Sequence, residues 1–537
     1  MTTCSMPPGC SPSASRRPRS GSRARVSPCS KRRRRMASVV SDVLRTKRPL
    51  GEAAIAWDEF DAMRTENLSR WPTGAAVDLD EAVAYHLELP RHKRLSEVLR
   101  RAKAERRCLT QPRGGFGTLR LQKELMRALD CEGLADIVPT TTDSYTRNEH
   151  FGQAGRGSEE SEAAGRSLLN GFPIVNYGVA ACRELVEAID KPAIMLTGTA
   201  MPNLVGEIGY AAGYTGFLGS GIAYTTSYTK EYTIEDGIRN YQYLDRLAAL
   251  YAERGVLLHR RQPGFLTGTN IPPCIAIAIA VLDCLLAAAQ GVKQYGLELA
   301  QTLHLVQDAA AIAVCEEMAQ EYLCGRGLGD VETPITSLHW MGAWPHDEAQ
   351  AAALVAYGGT LAAIGGAVSV TTKSTHEALG IPTPQANAEG LRMTRMAIYL
   401  ARNLRLDGLP DYEREKALIR REVRTIVDRV LELGDGDVAV GTVRAFEAGV
   451  LDVPWSPNRQ VASRVLPARD ADGYLRILDP GAVPMDADVL EEHRTRLARR
   501  ANRDKVPMGY DLAVASVYEL SEPLGVLLSD RWARDGE

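Results

Sequence analysis

Residues 333–377 read TPITSLHWMGAWPHDEAQAAALVAYGGTLAAIGGAVSVTTKSTHE, and this stretch decides the architecture of the chain. A β-prone run over 333–338 gives way to a loop and then to residues 347–364, where apolar side chains recur at three- and four-residue spacing. A second β-prone run over 367–372 follows, and the polar residues Lys373, His376 and Glu377 come directly after it. Strand, helix and strand in that order make a βα unit and its successor in a parallel sheet.

The same alternation extends back to about Ala104, with further β-prone runs at 107–110, 135–139, 172–176, 193–197, 221–225, 256–260 and 294–300. Helical periodicity marks 118–129, 180–189, 234–253 and 309–323, and Gly or Pro punctuates nearly every junction. The pattern predicts an α/β fold, a (β/α)8 barrel over 104–406, with a doubly wound open sheet as the alternative. Nine runs are one more than a closed barrel needs, so at least one is not a strand. Residues 36–103 read as a helical N-terminal extension. Beyond Leu406 the spacing changes and Gly434-Asp435-Gly436-Asp437 interrupts it, so 407–537 read as an appended C-terminal domain.

The chain has 537 residues, 45% of them hydrophobic, and a formal net charge of -3, enough to bury a large core without disulfides or metals. Ten cysteines lie scattered without a CxxC pair or a Cys/His cluster at zinc spacing, which points to reduced thiols in the cytoplasm and to no metal site. The apolar stretch 271–289 opens on Pro272-Pro273 and carries Asp283. It is short for a bilayer and reads as a buried barrel helix, so no membrane partner is expected.

Residues 1–35 are rich in Arg, Ser and Pro and end in a basic run before Met36, a composition expected to be disordered. They read as a nucleic-acid-binding arm, a targeting segment, or translated upstream sequence with Met36 as the true start. The third is favoured, and with it no nucleic-acid partner. No apolar segment follows the basic run, which argues against a secretory signal.

The residues that look chemical fall just after β-prone runs, where a (β/α)8 barrel carries its active site. Arg113 and Arg147 are two guanidinium groups suited to bidentate binding of carboxylates, and Gly114-Gly115 beside the first allows close approach of a ligand to backbone. The plainer reading is that each arginine pairs with a structural acid. Tyr224 and Tyr228 offer hydroxyls to a polar ligand, or pack on one another at helical spacing. Lys373 and Glu377 suit a hydroxyl-rich group such as ribose, or form a salt-bridged turn. Nothing resembles a nucleophile with its base, a P-loop or a dinucleotide fingerprint.

Three strings, Thr110-Gln111-Pro112-Arg113-Gly114-Gly115, Ala164-Gly165-Arg166-Ser167-Leu168-Leu169-Asn170-Gly171-Phe172-Pro173 and His376-Glu377-Ala378-Leu379-Gly380-Ile381-Pro382-Thr383, resemble the large epsilon subunits of the glutamate mutase family. The likeness runs from about Trp71 to Tyr510. It implies a (β/α)8 barrel, adenosylcobalamin as cofactor, and a separately encoded small subunit carrying an Asp-x-His-x-x-Gly cobalamin motif. This chain lacks that motif: Ser337 stands where the Asp would precede His339 and Gly342. In the family two large and two small subunits assemble, and radical chemistry converts glutamate to 3-methylaspartate.

By the same resemblance Arg113 and Arg147 match carboxylate-binding arginines, and Tyr224 and Tyr228 match substrate-contacting tyrosines. Lys373, Glu377 and Ile381 match adenosyl contacts, and Gly115 and Asn170 match cobalamin-side contacts. Ser227 stands where the family has Pro, and Trp344 where it has Phe.

Two departures weigh more. Leu196 aligns with a third substrate arginine, and Leu218 with the glutamate that receives the substrate ammonium. An ammonium in a dry pocket without its carboxylate costs several kcal/mol. The expected substrate is therefore a related organic acid lacking the free ammonium or altered at that end, such as a 2-oxo dicarboxylate, with unaltered glutamate specificity as the closest variant. A different class of function, a degenerate non-catalytic barrel kept as a scaffold, is opposed by the retained adenosyl contacts.

Overall fold

Eight short strands, β1 (Leu109–Gln111), β2 (Val138–Thr141), β3 (Ala193–Leu196), β4 (Gly216–Leu218), β5 (His259–Arg261), β6 (Tyr295–Ala300), β7 (Ile335–Leu338) and β8 (Ser369–Thr371), form one all-parallel sheet in a computed structural model. It describes residues 48–264 and 270–521; the basic leader expected over 1–35 lies outside them. The ladder runs β1-β8-β7-β6-β5-β4-β3-β2. Its two ends meet where the Asp136 and Ile137 amides donate to Thr110 O at 3.0 and 3.2 Å and the Thr141 amide to Gly114 O at 2.9 Å. The result is a (β/α)8 barrel, as the alternation predicted.

Two of the nine β-prone runs are not strands. Within 172–176 only Phe172 makes a bridge, to Thr142, before the helix Ile174–Glu187 starts behind Pro173. Proline has no amide to give a ladder and its fixed φ suits a helix start, which outweighs the β-prone Ile-Val pair. The run 221–225 is the beginning of the helix Gly221–Tyr228; the strand is Gly216-Phe217-Leu218 just before it. Gly216 hides that strand from a propensity reading, yet the packing requires it, since a Cβ there would lie 2.5 Å from Leu95 Cδ2.

The helices follow their sequence signals closely. Ile234–Glu253 has the expected bounds, with the Thr233 side chain accepting from the Asp236 amide, and Asp347 caps Glu348–Ile364 in the same way through the Gln350 amide. The apolar stretch 271–289 is the buried helix Pro273–Ala289. It is apolar all round because the helix Pro410–Leu433 covers the face that other barrel helices leave to water. Val423, Ile426 and Val427 share one apolar cluster with Ile277 and Val281. Among the described residues no helix is long and apolar enough to cross a membrane.

Among the described residues three α-helices, Trp57–Ser69, Leu79–Glu88 and Leu95–Ala104, precede β1. Leu95, Leu99 and Ala102 of the last pack with Leu109, Ile137, Ile194 and Val368, which stops the N-terminal end of the barrel with aliphatic side chains. The polar strand ends are thereby left at the opposite, C-terminal mouth. Toward the C-terminus β9 (Leu466–Arg469) pairs antiparallel with β10 (Leu475–Asp479), ahead of the helix Ala487–Asp504.

Candidate active site at the barrel mouth

Arg113 follows β1, Arg147 ends the single helical turn Ser144–Arg147 after β2, Tyr224 and Tyr228 lie on Gly221–Tyr228 after β4, and Lys373 follows β8. Arg147 Nε donates to Thr142 O at 2.9 Å, and its guanidinium carbon lies 6.0 Å from the centre of the Tyr228 ring. A Cβ on residue 198 would come within 3.2 Å of that guanidinium, and Gly198 also has φ +61°, so glycine is needed twice over. The Tyr224 and Tyr228 rings pack at 5.4 Å and 59°, so the packing pair is real. Tyr224 is buried, whereas Tyr228 is 39% exposed and opens toward the mouth.

Lys373 Nζ binds Glu377 Oε1 at 2.7 Å and lies 5.2 Å from the Trp344 ring. Burial lowers the Lys373 pKa to about 8, with Arg113 adding to the effect and Glu377 opposing it. Burial would raise Glu377, but Lys373 and Arg113 outweigh it and hold the carboxyl below its ordinary value. Arg113 stays firmly charged: burial works against the cation, and Glu377, Tyr228, Tyr224 and Glu298 more than offset it. Its Nη1 reaches Met341 Sδ at 3.7 Å. Arg113, Tyr224, Tyr228, Lys373 and Glu377 thus come from three strand ends into one electrostatic neighbourhood, with Arg147 against Tyr228.

The depressed Lys373 has a consequence for stability. Between about 8 and the unfolded value of 10.5, the unfolded chain binds a proton that the folded chain releases, so stability rises with pH across that window. The gain from this group is about 3 kcal/mol on the scale of ~1.36 kcal/mol per pKa unit. Melting curves of the wild type and Lys373→Met across the window are expected to show the wild type gaining on the variant. A constant difference rules out the depressed lysine.

The remaining predicted contacts lie around the mouth. A Cβ on Gly115 would meet Thr141 O at 2.4 Å and Gly171 Cα at 2.9 Å, so only glycine fits where this loop packs on the backbone at the end of β2. Neighbouring Asn170 is exposed and its Oδ1 accepts from the Ser144 amide at 3.0 Å. Ser227 Oγ is buried without a hydrogen-bond partner. Trp344 is buried, with Nε1 donating to Trp340 O at 2.9 Å, while Ile381 is exposed. Among the described residues no hydrogen bond, ion pair or ring contact ties Asn170 or Ile381 to the arginine and tyrosine group.

Leu196 and Leu218 are register partners on β3 and β4, and Leu218 is in turn the partner of Arg261 on β5. The leucines are 4% and 6% exposed and belong to the aliphatic cluster of the barrel interior. Sequence reasoning passed over Arg261 and its acid, Glu298. A signal was available, because Arg260-Arg261 is a pair of consecutive arginines at the end of a buried strand, and alternate residues face opposite sides. Each must then find its own carboxylate. Arg260 turns outward to Asp245, with Nε to Oδ1 at 2.7 Å, and Arg261 turns inward to Glu298 at 3.4 Å.

Two arginines, two tyrosines and the Lys373–Glu377 ion pair thus stand at one barrel mouth. A sequence profile described as "Methylaspartate mutase E chain (MutE)" matches residues 89–528. The chain belongs to the methylaspartate mutase E chain family. Three relatives, each named "Glutamate mutase epsilon subunit", are similar over nearly their whole length. That of Desulfitobacterium hafniense is 43% identical over 465 residues, covering 87% of this chain and 96% of the relative. That of Treponema denticola is 42% identical over 470 residues, with 88% and 96% covered. That of Halobacterium salinarum is 43% identical over 467 residues, with 86% and 96% covered. In this chain Leu196 and Leu218 share one register row with the Arg261 cation.

Proposed function

We propose that this chain is the large subunit of an adenosylcobalamin-dependent carbon-skeleton mutase whose substrate is a dicarboxylic acid without a free ammonium, such as a 2-oxo dicarboxylate. The observation that carries the reading is the pair Leu196 and Leu218, side by side at the strand ends of a mouth that also holds Arg113 and Arg147. Guanidinium groups serve the carboxylates, and the aliphatic pair offers nothing to a cation. A buried ammonium without its carboxylate costs several kcal/mol.

The residues around the mouth fit the cofactor. Lys373 and Glu377 would hold the adenosyl ribose, with Ile381 against the adenosyl group, and Gly115, Asn170, Ser227 and Trp344 would meet the corrin side. The buried Ser227 hydroxyl, without a hydrogen-bond partner, is the feature that suits a polar ligand. When bound, the cofactor supplies the organic radical that removes hydrogen from the substrate. The chain's own part is to fix the acid through Arg113, Arg147, Tyr224 and Tyr228 and to keep water and competing hydrogen donors away. A separately encoded small cobalamin-binding subunit completes the enzyme, two large with two small, in the cytoplasm.

The test is reconstitution with the small subunit and adenosylcobalamin, followed by assay on 2-oxoglutarate and on glutamate. The expected result is a kcat/KM for the oxo acid at least about 100-fold above that for glutamate, the size that an unpaired buried ammonium commands. Efficient glutamate turnover refutes the changed specificity. A non-catalytic scaffold is the competing reading; turnover of neither acid favours it, and the retention of the buried Lys373 with its partner Glu377 speaks against it.

A further inference from the structure

The floor of the mouth is rich in unused hydrogen-bond donors. Arg261 is 1% exposed and sits in the same row of strand ends as Leu196 and Leu218, with Gly296 as its other neighbour. Residue 296 has no room for a side chain, since a Cβ there would come within 3.0 Å of Arg261 Cγ, and across that glycine Arg261 reaches Glu298. Its Nη2 donates to Gln111 Oε1 at 2.9 Å and its Nη1 to Thr336 Oγ1 at 3.3 Å. Two donors remain. Arg261 Nε faces Glu298 at 3.4 Å without hydrogen-bond geometry, and Gln111 Nε2 is buried with no partner.

The acceptors of the same floor are already engaged. Glu298 Oε1 takes the Gly264 amide at 3.1 Å, and Oε2 takes the Thr371 hydroxyl at 3.1 Å as well as the Arg261 charge. Gln111 Oε1 and Thr336 Oγ1 are taken by Arg261 itself. His259 Nε2, also without a partner, belongs to the layer beneath, where burial first and Arg261 second hold the imidazole neutral, with a pKa near 3. Burial also depresses the Arg261 pKa more than Glu298 restores it, so this cation is under-compensated. Tyr224, a mouth residue, lies within its electrostatic reach.

A buried guanidinium kept only as a cross-link is expected to have all its donors satisfied. Orphaned donors beside acceptors that already hold partners suit a ligand that brings acceptor atoms better than one that brings an ammonium. We propose that Arg261, assisted by Gln111, is the specificity-determining donor group for the substrate's oxo oxygen in the row that Leu196 and Leu218 leave apolar. This assignment rests on the oxo-acid reading given under the proposed function and names the residues that enforce it.

The test is calorimetric binding of 2-oxoglutarate, glutarate and glutamate to the full-length chain, with Arg261→Gln and Arg261→Lys beside the wild type. The wild type is expected to bind 2-oxoglutarate about 10- to 100-fold more tightly than glutarate, the effect of hydrogen bonds to a charged donor. Arg261→Gln is expected to abolish that difference while glutarate binding changes little. Arg261→Lys keeps the cation opposite Glu298, which guards against misfolding, and should lose most of the difference because the forked donor is gone. Equal weakening of both acids in Arg261→Gln, or full discrimination kept in Arg261→Lys, overturns the assignment and leaves the proposed function standing. A wild type that prefers glutamate overturns both.

Discussion

Arg113→Met is expected, on the proposed function, to lower kcat/KM for the dicarboxylate by about 100- to 1000-fold with little change in melting temperature, because it removes the charge-assisted partner assigned to a substrate carboxylate. The side chain emerges from the Pro112-Arg113-Gly114-Gly115 loop, is partly open to the mouth, and gives the barrel no hydrogen bond other than the weak contact to Met341 among the described residues. Its loss therefore touches ligand more than fold. It also removes a cation beside Lys373, so the Lys373 pKa should rise, which the alkaline stability window reads independently. Arg113→Lys should recover only part of the activity, since an ammonium cannot give the planar fork that a carboxylate accepts. Steady-state kinetics decide the matter: a loss below about tenfold, worth only ~1.4 kcal/mol, takes Arg113 out of the carboxylate site.

Asp245→Asn is expected to destabilise the chain by about 3–5 kcal/mol, the cost of leaving one partner of a buried ion pair alone. Arg260 is wholly buried, and Asp245 Oδ1 receives its Nε at 2.7 Å. The other two guanidinium nitrogens donate to Phe217 O at 2.9 Å and Gly219 O at 3.0 Å, on either side of Leu218. Asp245 thus holds the arginine that pins the end of β4. Thermal melting should show the loss, and KM for the acid should rise as the strand end loosens. A melting temperature within a degree or two of the wild type removes the pair from the account.

The two predictions differ in how readily a reader of the sequence could reach them. Arg113 and Lys373 stand directly after β-prone runs, and the barrel rule carries them to the C-terminal mouth without further information. Arg260 and Arg261 are adjacent in sequence, and no spacing tells which of them enters the barrel. Parity along a strand is known only once its register against β4 and β6 is known. The same holds for Gly216–Leu218, whose glycine argues against a strand until Leu95 is seen filling its place.

Local chemistry was enough for the alternation of strand and helix, the capped bounds of helices such as Ile234–Glu253, the buried Pro273–Ala289 and the rim positions of the arginines, because periodicity, capping and turn residues act over a few neighbours. Barrel closure alone settled the row Leu196, Leu218, Arg261 and Gly296, the inward turn of Arg261 to Glu298, and the donors left open beside Gln111. Those relations join residues from separate strands, and only the staggered pairing of a closed sheet brings them to one level.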